Sequence, residues 1–205
     1  NLADLHLHDT YYVIGHFHYV VAPGILFGLF AGIYHWYPKM FGRYLNRTLG
    51  HLHFWPSLIL INCVFFPMLI QGMAGFHRRW YNGGDSYLPT SEDSADVFAQ
   101  TVAKWIDLNV FMSWAVFFLA IAQLPFIFNL FTAWFAGKKV KNDNPWDATT
   151  LEWATPTPPG HGNFTFDVAA YRGPYEFSRP DCDEDYYPQW NEPKKAPAKD
   201  DKADA

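Results

Sequence analysis

His16, Phe17 and His18 place two imidazoles on either side of one aromatic ring within the stretch HDTYYVIGHFHYV, and a His-Asp pair, His8 and Asp9, precedes them. Imidazole is the commonest metal-ligating side chain and a common axial ligand of haem iron. On a helix, residues two apart point about 200° from each other, so His16 and His18 cannot close on one ion. The spacing predicts two cofactors, one on each side of the helix. A divalent-metal channel needs several ligands converging on a point, which opposed side chains do not provide. A flat macrocycle standing against each face of a helix suits the pattern better.

The surroundings of these residues are apolar. Of 205 residues, 50% are hydrophobic and 20% aromatic, and Tyr11 to Tyr37 contains no Asp, Glu, Lys or Arg. A hydrocarbon core of about 30 Å needs roughly 20 helical residues. The sequence therefore predicts an all-α, integral-membrane bundle with three transmembrane helices at about 11–37, 52–76 and 108–137. Residues 1–138 form that core, and 139–205 form an irregular polar tail, disordered from about 189. An ionisable side chain inside a span marks a functional site by default, although a single membrane histidine is also explained by a hydrogen bond between helices. Gly24, Gly28 and Gly32 recur every four residues and predict a seam where another helix comes close. Pro23 and Pro67 predict local loosening of their helices. Lys39, Arg43 and Arg47 read as a basic connection, and residues 77–107 as a polar loop.

Charge sets orientation and partners. Six Lys or Arg residues lie near the connections after the first and third spans, against three after the second. By the positive-inside rule the tail then lies on the cytoplasmic or matrix side and the start of the first helix outside. Arg78 and Arg79 fall on that outer side, where an adjacent pair suits anionic groups. At 1.5 Å per residue, His8 and Asp9 lie up to about 12 Å beyond His16, among water. A carboxylate beside an imidazole there suits Mg²⁺ or Mn²⁺, completed by water or a partner, while Asp9 is also a candidate helix N-cap. The net charge of -5 leaves no basic footprint for nucleic acid. Cys63 and Cys182 lie in unlike segments, so no disulfide is expected. His35, His51 and His53, with Tyr and Trp at 11, 12, 36, 37 and 55, read as interfacial belts. With no initiator Met and no basic leader, the chain is expected to be a piece of a larger polypeptide.

HDTYYVIGHFHYV before a glycine-rich span, Arg78-Arg79 after FFP and GMAG, and the later phrase NPWDATTLEWATPTPPGHGNF together resemble subunit I of the haem-copper oxidases, of the cytochrome c oxidase kind. The resemblance runs to about Phe166 and corresponds to the last three of the family's twelve helices. It implies that His16 is the proximal ligand of the high-spin haem where oxygen is reduced, that His18 is one axial ligand of the low-spin haem, and that Phe17 lies between them. Asp4, Arg78 and Arg79 then belong to the haem-propionate region. His8 and Asp9 belong to an outer Mg²⁺ or Mn²⁺ site completed by a glutamate of subunit II.

The cofactors implied are two haems, of a type, the divalent cation, and copper held outside this chain. The implied partners are the remainder of subunit I, subunits II and III and other oxidase subunits, a cytochrome c or quinol donor, and lipid of a bacterial plasma membrane or mitochondrial inner membrane. The implied reaction is reduction of O₂ to water coupled to proton translocation. Two departures stand out: His77 occupies a position where many relatives have a proline, and Trp80 follows the arginine pair. The family's copper ligands, His-Tyr pair and second low-spin haem ligand have no counterpart here, so the chain is expected to be inactive alone. A quinol oxidase or nitric oxide reductase of the same superfamily, or a non-catalytic bis-haem carrier, are the alternatives.

Overall fold

The computed structural model describes residues 2–79, 97–178 and 185–192. Trp80, most of the expected polar loop, Cys182 and residues 193–205 lie outside the described residues. Of the end expected to be disordered from about 189, Gln189 is instead buried and held, its N donating to Thr149 O and its Nε2 to Arg172 O, each at 2.8 Å. The elements are α1 (Leu2–Leu7), α2 (Tyr11–Phe41), α3 (Arg47–Met73), α4 (Val97–Ala122), α5 (Leu124–Ala136) and one 3₁₀ turn (Leu151–Ala154). Among the described residues there is no β-strand, only two isolated bridges. Three stretches are long and apolar enough to cross a membrane: Tyr11–Phe41, Arg47–Met73 and Leu108–Ala136.

Several boundaries differ from those the sequence suggests. Lys39 lies within α2, and Arg47 opens α3, so the basic connection shrinks to residues 42–46. Residues 97–107, expected as loop, are the first turns of α4, because a helix propagates through polar turns once its apolar part has nucleated it. Pro23 and Pro67 sit inside unbroken α2 and α3. The interruption falls at Gln123, two residues before Pro125, which has no N–H to continue the ladder. There Gln123 N donates to Ala120 O, and Gln123 Nε2 takes the bypassed Leu119 carbonyl at 3.0 Å.

The chain folds as two compact units, Asn1–Gly32 with Asn46–Phe131 and Ile33–Leu45 with Thr132–Ala205. In the first, α3 packs on α4, and Ile61 and Val64 of α3 and Met112 and Ala115 of α4 are buried. Polar side chains also hydrogen-bond to one another here, as an interior poor in water favours. Gln71 Nε2 donates to Asn109 Oδ1 at 3.2 Å, and Gln123 Nε2 donates to Ser57 Oγ at 3.0 Å. His53 Nε2 meets Gln123 Oε1 at 3.0 Å; an amide oxygen only accepts, so this nitrogen carries the proton. His53 is 2% exposed and packed between Phe30 and Phe126, so it is a core residue and not part of an interfacial ring.

Asn46 N-caps α3, its Oδ1 accepting from Thr48 N and Leu49 N at 2.9 and 3.2 Å. Asn129, fully buried on α5, grips the same residue from the other side. Its Oδ1 accepts from Asn46 N at 2.8 Å and its Nδ2 donates to Asn46 O at 3.0 Å. Replacing Asn129 by Leu removes both bonds at similar volume. We expect it to cost about 1–3 kcal/mol, seen as a lower thermal unfolding midpoint of the solubilised protein.

In the second unit, Lys39 is 4% exposed and Trp153 1%. The Lys39 ammonium donates to the carbonyls of Asp143 (2.9 Å), Trp153 (3.5 Å) and Thr155 and to Thr157 Oγ1 (3.3 Å), and lies 5.9 Å from the Trp153 ring centroid. Trp146 Nε1 donates to His35 O at 2.9 Å, and Arg43 Nη1 to Gly137 O at 2.7 Å, just past the end of α5. Tyr37, expected in an interfacial belt, is buried here.

Candidate functional site

Thr10, 1% exposed, sets the start of α2. Its Oγ1 accepts from Tyr12 N at 3.3 Å and donates to Leu7 O at 2.7 Å, so the N-cap is Thr10 and not Asp9. Asp9 is thereby free for other work, and it adopts φ 58°, a left-handed conformation that aspartate tolerates better than most residues.

One turn into α2 the two histidines occupy different surroundings. His16 is exposed along an open groove of about 490 Å³, with Tyr12, Val13, Phe17, Val20 and Val21 on one wall and Ala3, Asp4 and Leu7 on the other. The Tyr12 and His16 rings are parallel, 10° apart with centroids 6.3 Å apart. His18 turns instead toward α3, its ring stacked on Phe65 at 5.3 Å and 17°. Its Nδ1 lies 2.8 Å from Ile14 O. A carbonyl only accepts, so Nδ1 carries a proton and donates it there. Phe17, 57% exposed, stands edge-on to His18 at 5.5 Å.

The outer residues converge through the turn after α3. Gly75 (φ 89°) and Arg79 (φ 67°) bend the chain back, so that Tyr11 N donates to Phe76 O and Arg78 N to Asp9 O, each at 2.9 Å. Tyr11 packs edge-on against buried Phe76 at 4.7 Å. Arg78 Nε donates to Asp9 Oδ1 at 2.7 Å and a second guanidinium nitrogen reaches the same oxygen. His8 Nε2 is 3.4 Å from Asp9 Oδ2. Asp9, His77, Arg78 and Arg79 line a pocket of about 380 Å³. The Arg78 hydrogen bond holds the Asp9 carboxyl below its ordinary range. A lowered folded pKa means the pair is fully formed above the unfolded value and is lost as pH falls through the folded one.

The sequence singled out both Asp9 and Arg78 but not their ion pair, nor the Thr10 cap. Composition offers no signal for a contact between residues 69 apart. Among the described residues no group of three His, Cys, Asp or Glu side chains could hold a metal. His8 and Asp9 are by themselves too few to hold a metal. For a haem, the donors present fit: an imidazole with its Nδ1 tied to the Ile14 carbonyl at His18, an exposed imidazole in a largely apolar groove at His16, and the Arg78 and Arg79 guanidinium groups in the pocket beside Asp9.

Three helices long and apolar enough to cross a membrane put the chain in the class of helical membrane proteins, and its family is identifiable. The sequence profile described as "Cytochrome C and Quinol oxidase polypeptide I" matches residues 1–137, and the chain belongs to that family. It is 41% identical over 174 residues to cytochrome c oxidase subunit 1 of Synechocystis sp., covering 85% of this chain and 28% of that one. It is 40% identical over 195 residues to an alternative cytochrome c oxidase subunit 1 of Bradyrhizobium diazoefficiens, covering 94% and 30%. A third relative, cytochrome c oxidase subunit 1 of Alkalihalophilus pseudofirmus, is 40% identical over 162 residues, covering 79% and 23%. The chain thus spans under a third of the length of these relatives.

Proposed function

We propose that this chain is part of the catalytic subunit of a terminal respiratory oxidase that passes electrons from cytochrome c to O₂, forming water and moving protons across the membrane. The observation that carries the reading is the divergence of His16 and His18 on one helix, with His18 Nδ1 tied to the Ile14 carbonyl. His18 would hold a low-spin haem and His16 a high-spin haem, each through an imidazole nitrogen. Haem, with copper held elsewhere in the subunit, supplies the electron transfer and oxygen chemistry. The residues here bind and orient. The Ile14 carbonyl fixes the His18 tautomer and ring angle, and such outer partners also raise ligand basicity. Phe17 holds the two imidazoles apart on one rigid backbone. Asp4, Arg78 and Arg79 form the propionate region, with Arg78 neutralised in part by Asp9.

His8 and Asp9 give two ligands to Mg²⁺ or Mn²⁺, the others coming from water and subunit II. The remaining partners are the rest of subunit I, subunit III and further oxidase subunits, with the tail on the cytoplasmic or matrix side. The names of the relatives favour cytochrome c as donor, while the family description also admits quinol. Reduced-minus-oxidised and CO-difference spectra of the purified complex test the reading, and a preparation showing only low-spin, CO-insensitive haem defeats it. In complex prepared with Mn²⁺, Asp9→Asn is expected to weaken metal retention about 10–100-fold, read by electron paramagnetic resonance. An unchanged manganese signal removes Asp9 from the site.

A further inference from the structure

Two glycines, neither in the predicted Gly24–Gly28–Gly32 stripe, lie at close approaches of α2 and α3. Gly24 and Gly28 have no atom within 4 Å of an added Cβ. At Gly72, a Cβ would lie 1.9 Å from Tyr12 N and 2.5 Å from Tyr12 Cα, which is backbone and cannot swing away. At Gly15 it would lie 3.0 Å from Met68 Cβ, 3.1 Å from Leu69 Cδ2 and 3.2 Å from Phe65 O. Tyr19 continues the same face, its hydroxyl donating to Asn62 Oδ1 at 2.6 Å.

At 100° per residue, Tyr12, Gly15 and Tyr19 lie within about 60° of one another, with His16 about 100° to one side of Gly15 and His18 about 60° to the other. The seam therefore runs between the two histidines. Each glycine also reaches one histidine through one aromatic residue. Tyr12, whose backbone presses on Gly72, holds its ring parallel to His16. Phe65, whose carbonyl faces Gly15, stacks its ring on His18.

We propose that Gly72 and Gly15 are positioning residues, Gly72 aiming His16 through Tyr12 and Gly15 aiming His18 through Phe65. The proposal rests on the haem reading above. Any side chain at Gly72 forces the two backbones apart by about 1 Å or more, and at Gly15 by a few tenths of an ångström, displacements on the scale that ligand geometry must hold.

The test uses the intact complex. Gly15→Ala is expected to shift the low-spin haem, in its reduced-minus-oxidised band and its electron paramagnetic resonance, more than the CO-difference band. Gly72→Ala is expected to do the reverse. Should Gly72→Ala fail to assemble, Tyr12→Leu tests the same branch: it shifts the CO-difference band, and Tyr12→Phe, which keeps the ring, restores it. Wild-type bands in both Gly15→Ala and Tyr12→Leu overturn the proposal while leaving the haem reading intact. A wild-type complex lacking either haem signal overturns both.

Discussion

Replacing His18 by Ala is expected to abolish the low-spin haem signal of the complex while leaving a CO-binding haem, and replacing His16 by Ala is expected to do the opposite. The asymmetry follows from placement. His18 stacks on Phe65 with its Nδ1 tied to Ile14 O, whereas His16 lines the groove beside α1. Axial ligation is a bonding contribution that no neighbour can supply, since Phe17 and Phe65 offer no donor. The two losses should therefore be near complete and separable. Identical spectra for the two variants refute the two-cofactor reading, because a single shared site would respond to both in the same way.

The second large effect is expected at Lys39. Two terms compete when Lys39 becomes Met, which keeps the apolar stem and removes the ammonium. Burying a charge costs several kcal/mol, and that cost disappears. Against it, hydrogen bonds to a charged group contribute about 1.5–3 kcal/mol each. The ammonium shares its three N–H groups among three carbonyls and Thr157 Oγ1, two of these contacts buried. The hydrogen bonds win, leaving a net destabilisation of about 2–4 kcal/mol in the docking of residues 143–157. Even the lower figure raises the locally opened population roughly 30-fold. Limited proteolysis of the solubilised complex should show faster cleavage in that segment, and a wild-type rate in Lys39→Met would show that Trp153 burial alone holds it.

Much of this protein is legible from local pattern. Charge-free runs long enough to cross a bilayer locate three helices, because the cost of an unpaired charge or amide in hydrocarbon exceeds any local preference. The helix repeat alone separates His16 from His18 by about 200°, and no later folding step alters that. Other features depend on which distant residues become neighbours. A small-residue stripe at Gly24, Gly28 and Gly32 permits close approach but does not say that a partner in this chain uses it. Within this chain a close approach falls at Gly15 and Gly72, where Tyr12 and Phe65 connect it to the histidines, and not at Gly24 or Gly28.

Three residues show the same division. His53 looks interfacial by its position near a helix end, yet Gln123, 70 residues away, gives it a hydrogen bond and a buried place. Lys39 looks like a surface charge until the tail carbonyls, more than 100 residues on, surround it. Asp9 looks like a cap or a metal ligand, and the turn after α3 brings Arg78 onto its carboxylate. The sequence by itself determined the helices, their membrane character and the divergence of the two histidines, because transfer free energy and helix geometry act residue by residue. Tertiary structure alone decided which glycines touch and which charges pair, because those depend on distances between residues that only the folded chain brings together.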